Sequence, residues 1–108
     1  MEKLYELVKK FNERAKKDDK LRREIENLNR KILVEFVDDG KYSFELKYAH
    51  IEELKDYNGN YDIEIYIDTN TFNEILEGKT DALSAYILKR FKVKASLSDK
   101  LLISQLLK

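Results

Sequence analysis

The spacing of apolar residues changes twice along this chain, and that change limits the fold more than any other feature. In the first 29 residues, Leu4, Leu7, Val8, Phe11 and Ala15 recur at intervals of three and four, the stripe of an amphipathic helix. Asp18 and Asp19 interrupt the stripe, and either can cap a second short helix carrying Leu21, Ile25 and Leu28. From Lys31 the period becomes two. Ile32-Leu33-Val34-Glu35-Phe36-Val37 reads as a strand covered in part on both faces. Asp38-Asp39-Gly40-Lys41 reads as a hairpin turn, with Asp-Gly supplying the positive φ that primed turns need. On the return strand, Tyr42, Phe44, Leu46 and Tyr48 share a face expected to lie under helices. Ser43, Glu45, Lys47 and Ala49 share the other, with Glu45 and Lys47 expected in solvent, because a slip of one residue would bury charge.

Residues 50–57 are a weaker third strand with Ile51 and Leu54, followed by a turn at Asn58-Gly59-Asn60. Alternation then returns, with Ile63, Ile65 and Ile67 inward and Asp62, Glu64 and Tyr66 outward. After residue 68 the period is again 3.6. Thr69 or Asn70 caps a helix that buries Phe72, Ile75 and Leu76, and Gly78 falls just past its end. Thr80 or Asp81 opens a short helix with Leu83, Tyr86 and Ile87. Phe91, Val93, Ala95 and Leu97 form a last strand, and Ser98 or Asp99 caps a terminal helix over residues 100–108. In that helix Leu102 and Leu106 are expected to face the core, with Leu101 on a flank and Leu107 on a more exposed edge. Strands and helices fall in separate runs, so the chain is a single α+β domain over residues 1–108, one sheet face covered by helices.

Composition narrows the chemistry. Of 108 residues, 21 are Lys or Arg and 21 are Asp or Glu, so no uniform basic field exists for nucleic acid. The absence of cysteine removes disulfides, thiolate zinc sites and a cysteine nucleophile, and the single His50 removes His-cluster metal sites. His50, at a strand end, has no nucleophile paired with it. The carboxylate pairs Asp38/Asp39 and Glu52/Glu53 sit beside turn signals and read as solvated turn residues. The three glycines are nineteen residues apart, so no phosphate-binding loop is present. No apolar run approaches the length of a membrane span or a signal peptide, and a cytoplasmic location is expected. Neither an enzyme nor a cofactor is expected.

One segment carries a likeness to a known family. Phe72-Asn73-Glu74-Ile75-Leu76-Glu77-Gly78-Lys79-Thr80-Asp81-Ala82-Leu83-Ser84-Ala85-Tyr86 runs into Arg90-Phe91-Lys92-Val93-Lys94-Ala95, which resembles the sterol carrier protein 2 (SCP-2) family. Asp38-Gly40 with Tyr42-Ser43-Phe44-Glu45-Leu46 is similar to that family's first hairpin, and residues 62–68 to its fourth strand. The resemblance implies a mainly antiparallel five-stranded sheet and an apolar tunnel between sheet and helices that takes a sterol, fatty acid or acyl-CoA. The lining it implies is Phe44, Leu46, Ile65, Phe72, Leu76, Tyr86, Phe91, Leu102 and Leu106, each of which is also a normal core residue. It also implies an alternative, an accessory domain with a filled core that docks a protein partner through its last helix. The family's glycines before and near the end of the fifth strand are here Lys89 and Ala95, and its final-helix glutamine falls on Ser104, with Gln105 one place on. A side chain at Ala95 narrows the gap between last strand and last helix.

Overall fold

A computed structural model describes residues 1–107. Helices α1 (Glu2–Lys17) and α2 (Asp19–Ile25) precede strands β1 (Arg30–Phe36), β2 (Lys41–Lys47), β3 (His50–Glu53) and β4 (Ile63–Ile67). Helices α3 (Thr69–Leu76) and α4 (Ala82–Ile87), strand β5 (Lys92–Lys94) and helix α5 (Leu97–Leu106) follow. One sheet runs in the order β3-β2-β1-β4-β5. Three of its pairings are antiparallel, but β1 and β4 are parallel, so the sheet is mixed. A parallel neighbour needs a long crossover, and the hairpin β2–β3 with the loop after it supplies one. Alternation reveals which face a residue takes, not which strand lies beside it.

The inner face is continuous. Ile32, Val34 and Phe36 of β1 stand beside Phe44 and Tyr42 of β2 and beside Ile63, Ile65 and Ile67 of β4. The α1 stripe, Leu4 to Ala15, is buried as its spacing implies, together with Leu21, Ile25, Phe72 and Ile75. Phe36 meets Phe72 edge-on at 5.1 Å between ring centres, seating α3 over the end of β1. On the outer face Leu33 is buried as well, and Tyr61 reaches back to Ser43, 2.5 Å between hydroxyls. Lys47 is exposed, and Glu45 is half-buried in an ion pair with Lys31.

Several local expectations give way. The β1–β2 connection is not a primed turn: among the glycines only Gly78 has positive φ, and the loop closes through Asp39 N–H to Phe36 O (3.0 Å) and Phe36 N–H to Gly40 O (2.8 Å). Tyr48 does not share the core face; it is 81% exposed. Tyr48 (φ 55°) and Ala49 (φ 58°) are the two central residues of a hairpin turn closed by the pair Lys47–His50. That turn carries no glycine or asparagine, so nothing in the sequence marks it. The caps are Asp18 for α2, Asp68 rather than Thr69 or Asn70 for α3, Asp81 for α4 and Ser96 rather than Ser98 or Asp99 for α5. Leu97 is therefore the first residue of α5, not the end of a strand. In α4, Leu83 and Ile87 are exposed, while Ala85 is buried and Tyr86 half-buried. In α5 the buried pair is Ile103 and Leu106; Leu102 and Leu107 are half-buried, and Leu101 is exposed. Residue 108, assigned to that helix by its spacing, lies outside the described residues.

Asn12 protects a sheet edge. Its side-chain amide donates to Ile51 O (2.9 Å) and accepts from Ile51 N–H (2.8 Å), pairing both backbone groups that edge strand β3 turns away from β2. Asn12→Ala is expected to destabilise the protein by about 1–3 kcal/mol in chemical denaturation, because two part-buried backbone groups lose partners. Ala49→Gly is expected to raise stability by roughly 0.5–1 kcal/mol in the same measurement, since an L side chain at positive φ carries a steric cost that glycine lacks. Lys89, where the related family has glycine, also sits at φ 60°, and Lys89→Gly is expected to act in the same direction.

Candidate functional site

Among the described residues, a strongly apolar groove lies between α4, β5 and α5. Ala82, Leu83 and Tyr86 form one wall, Phe91 and Val93 the sheet side, and Leu97, Leu101, Ile103 and Leu107 the other wall. Its volume is about 230 Å³, below the roughly 300–1,000 Å³ of drug-sized ligand sites. Lys100, Ser104 and Tyr86 are the lining residues that carry a polar side-chain group. Lys100 Nζ stands 5.5 Å from the Tyr86 ring centre, and the Tyr86 and Phe91 rings lie 5.8 Å apart.

Between the sheet, α1 and α5 the space closes to a void of about 10 Å³, bounded by Phe11, Ile32, Leu46, Ile51, Ile63, Leu102, Ile103 and Leu106. That is at the lower limit of what one water needs. Ile103 borders both spaces, so its side chain is the partition between groove and void. Of the nine residues that the family resemblance implies as lining, Tyr86 and Phe91 stand in the groove, and Leu46, Leu102 and Leu106 border the void. Phe44, Ile65 and Phe72 are buried in the core, with Leu76 packed against it. The other groove residues, among them Leu83, Leu97, Leu101 and Ile103, are not in the lining that the resemblance implies. The i, i+4 spacing of Leu97 and Leu101 is the signal that could have found two of them, once α5 is begun at residue 97.

Three polar clusters hold the groove in shape. Arg30 Nε lies 3.0 Å from both carboxylate oxygens of the buried Asp99, fastening the first turn of α5 to the start of β1. Arg14 donates to the Gln105 carbonyl and holds the other end. On the α4 side, Arg90 donates to both oxygens of Glu74 (3.2 and 3.1 Å) and to Thr71 Oγ1 (3.3 Å), and Thr71 Oγ1 donates to Asp68 (2.6 Å). This chain of bonds ties α3 to the segment that enters β5. The hydrogen bonds from Arg90 hold the Glu74 carboxyl below its ordinary range, and those from Thr71 do the same for Asp68. Asp81 is lowered by its bonds to Ser84, which start α4.

His50 stands on β3, at the opposite edge of the sheet from β5, 3.8 Å from Glu52. Among the described residues no group of three or more His, Asp and Glu is placed to hold a metal ion, and no helix is long and apolar enough to cross a membrane.

The description of the SCP-2 sterol transfer family matches residues 8–108, and the chain belongs to that family. None of the curated proteins matches it. Among solved structures, palmitated SCP2L2 from Aedes aegypti is similar with a TM-score of 0.64 at 9% identity, over 94% of this chain and 90% of that one. UbiJ-SCP2, a ubiquinone synthesis protein, gives 0.62 at 10% identity, over 82% of this chain and 71% of that one. A double mutant of the sec-alkyl sulfatase PisA1 gives 0.63 at 15% identity, over 77% of this chain but only 13% of the sulfatase. At these identities the likeness concerns the fold, which is the mixed α+β sheet-and-helix arrangement described above.

The lowered carboxyls set the acid response. Their folded-state pKa lies below the unfolded value, so their stabilisation is full above about pH 4 and is lost as pH falls through the folded pKa. Thermal melts between pH 7 and pH 3 are expected to show a falling midpoint below about pH 4. Glu74→Gln is expected to melt lower than wild type at pH 7, with a smaller further loss on acidification.

Proposed function

We propose that the domain binds an aliphatic lipid of the sterol, fatty acid or acyl-CoA type, held by its hydrocarbon part in the α4–β5–α5 groove. The observation that carries the reading is the lining itself: eight apolar side chains and the Tyr86 ring, with Lys100 and Ser104 beside them. Membership of a sterol transfer family and the palmitated state of the Aedes aegypti relative support it. Apolar contact asks for area rather than a particular residue, so the family glycines are dispensable to it. About 400 Å² of buried hydrocarbon contributes on the order of 10 kcal/mol before ordering costs. A groove of about 230 Å³ takes part of such a chain. The rest enters the void under α5 when Ile103 swings aside, which turns two separate spaces into one tunnel. A carboxylate on the ligand would meet Lys100 at the mouth.

The closed void favours a second reading, an accessory domain with a filled core and no ligand. The two separate in a titration with a fluorescent polyunsaturated fatty acid. Saturable binding is expected for the wild type, weakened at least tenfold by Ser104→Trp, whose ring fills the groove from an exposed position on α5 while the thermal midpoint stays close to wild type. No saturable binding of fatty acid, sterol or acyl-CoA by the wild type would leave the accessory-domain reading.

A further inference from the structure

The connection from β3 to β4, residues 54–62, is held by two tyrosines. Tyr61 fastens it to the outer sheet face through Ser43, and the Tyr57 and Tyr61 rings meet edge-on with centres 5.3 Å apart. The Tyr57 hydroxyl donates to the Asn60 carbonyl (2.6 Å) and closes residues 57–60 into a turn. Its two central residues, Asn58 and Gly59, are both exposed. Among the described residues, neither the Asn58 side chain nor the Gly59 N–H has a hydrogen-bond partner.

Of the seven asparagines, only Asn58 is followed by glycine. A backbone nitrogen can attack the side-chain amide carbon of the residue before it, and a side chain on the attacking residue hinders the approach that glycine permits. Asn12, Asn70 and Asn73 lie within helices, with their side chains bonded to Ile51, Glu74 and Lys3. Asp39 also precedes a glycine, but its carboxyl accepts from Tyr42 and its own N–H is bonded to Phe36 O. The turn also keeps glycine at residue 59: a β-carbon there would run into the Tyr57 ring and hydroxyl. The packing that closes the loop therefore retains the labile pair.

We propose that Asn58 is a site of spontaneous deamidation, with the loop's own backbone as the nucleophile. The Gly59 nitrogen, giving up its proton to solvent, bonds to Asn58 Cγ; the bond from Cγ to the side-chain nitrogen breaks, and ammonia leaves with that proton. Water then opens the resulting five-membered imide at either carbonyl. One opening leaves an aspartyl residue at position 58, the other an isoaspartyl residue whose main chain runs through the former side chain. The net change is one water gained and one ammonia lost, and at neutral pH a new negative charge on a formally neutral chain. The isoaspartyl linkage lengthens the main chain between Tyr57 and Asn60 by one methylene, which breaks the bond that closes the turn. Lipid binding plays no part in this chemistry.

Peptide mapping of the full chain held in warm, mildly alkaline buffer tests it. Conversion at Asn58 is expected to outrun that at each other asparagine by about tenfold or more, to yield both products, and to quicken as pH rises. Asn58→Ser is expected to remove the acidic species from ion exchange while circular dichroism stays at the wild-type value. The isoaspartyl fraction is expected to melt below the unmodified protein, as Tyr57→Phe does through loss of the same hydrogen bond. An intact Asn58, in a buffer where a free peptide of residues 55–62 converts, would show that the fold holds the amide away from the Gly59 nitrogen and overturns the proposal. Conversion at Asn58 no faster than at the other asparagines overturns it too. An isoaspartyl fraction that melts with the unmodified protein overturns the opening of the turn.

Discussion

The structure depends on β1 being the centre of the sheet with a parallel neighbour. Ile32, Val34 and Phe36 have β2 on one side and β4 on the other, and together these three strands supply most of the apolar floor. Because β4 pairs with β1 and not with β3, the chain leaves the sheet after β4 at the end where Phe36 and Phe72 meet. The helices α3 and α4 then lie along that side, and β5 returns antiparallel to β4 as a three-residue edge. β5 is only three residues long, and the groove lies beside this short edge strand, between it and the helices α4 and α5.

Helix α5 decides how much of the interior is open. The Arg30–Asp99 pair and the Arg14–Gln105 bond fix its two ends, and Ile103 and Leu106 fill the space between it and the sheet. A buried carboxylate with its partner removed would be left uncompensated, so the helix is held by a bond that is costly to break at that end. Between these anchors the contacts are aliphatic, and aliphatic side chains change rotamer without leaving a polar group unpaired. Movement of Ile103 would therefore leave no side-chain polar group without a partner.

Much of the fold is legible in the spacing of residues, and what is not has identifiable physical causes. The α1 stripe, the alternation of β2 from Tyr42 to Leu46 and the triad Ile63, Ile65 and Ile67 fall where the pattern puts them, because burial of one face leaves no other register. Tyr48 and Ala49 escape notice because the turn they make has no glycine, and an alternating apolar residue looks like more strand. The face of α4 is misread because exposed Leu83 and Ile87 outweigh the small, fully buried Ala85. Strand order is invisible to any one-dimensional period. The site is harder still: Tyr86 and Phe91 line the groove, whereas Phe44, Ile65 and Phe72 are solid core, and an apolar residue in a wall has the same sequence signature as one in a packed interior.

The central claim is that the α4–β5–α5 groove, and not the centre of the sheet, is where an aliphatic ligand first enters. The most direct measurement is the change in backbone amide and methyl resonances of isotope-labelled protein as palmitate is added. Shifts are expected at Ala82, Leu83, Val93, Leu97, Leu101 and Ile103, extending to Leu102 and Leu106 as the partition opens, with Leu21 and Ile67 unmoved. Shifts that spare the groove, or a spectrum unchanged to saturation, would contradict it.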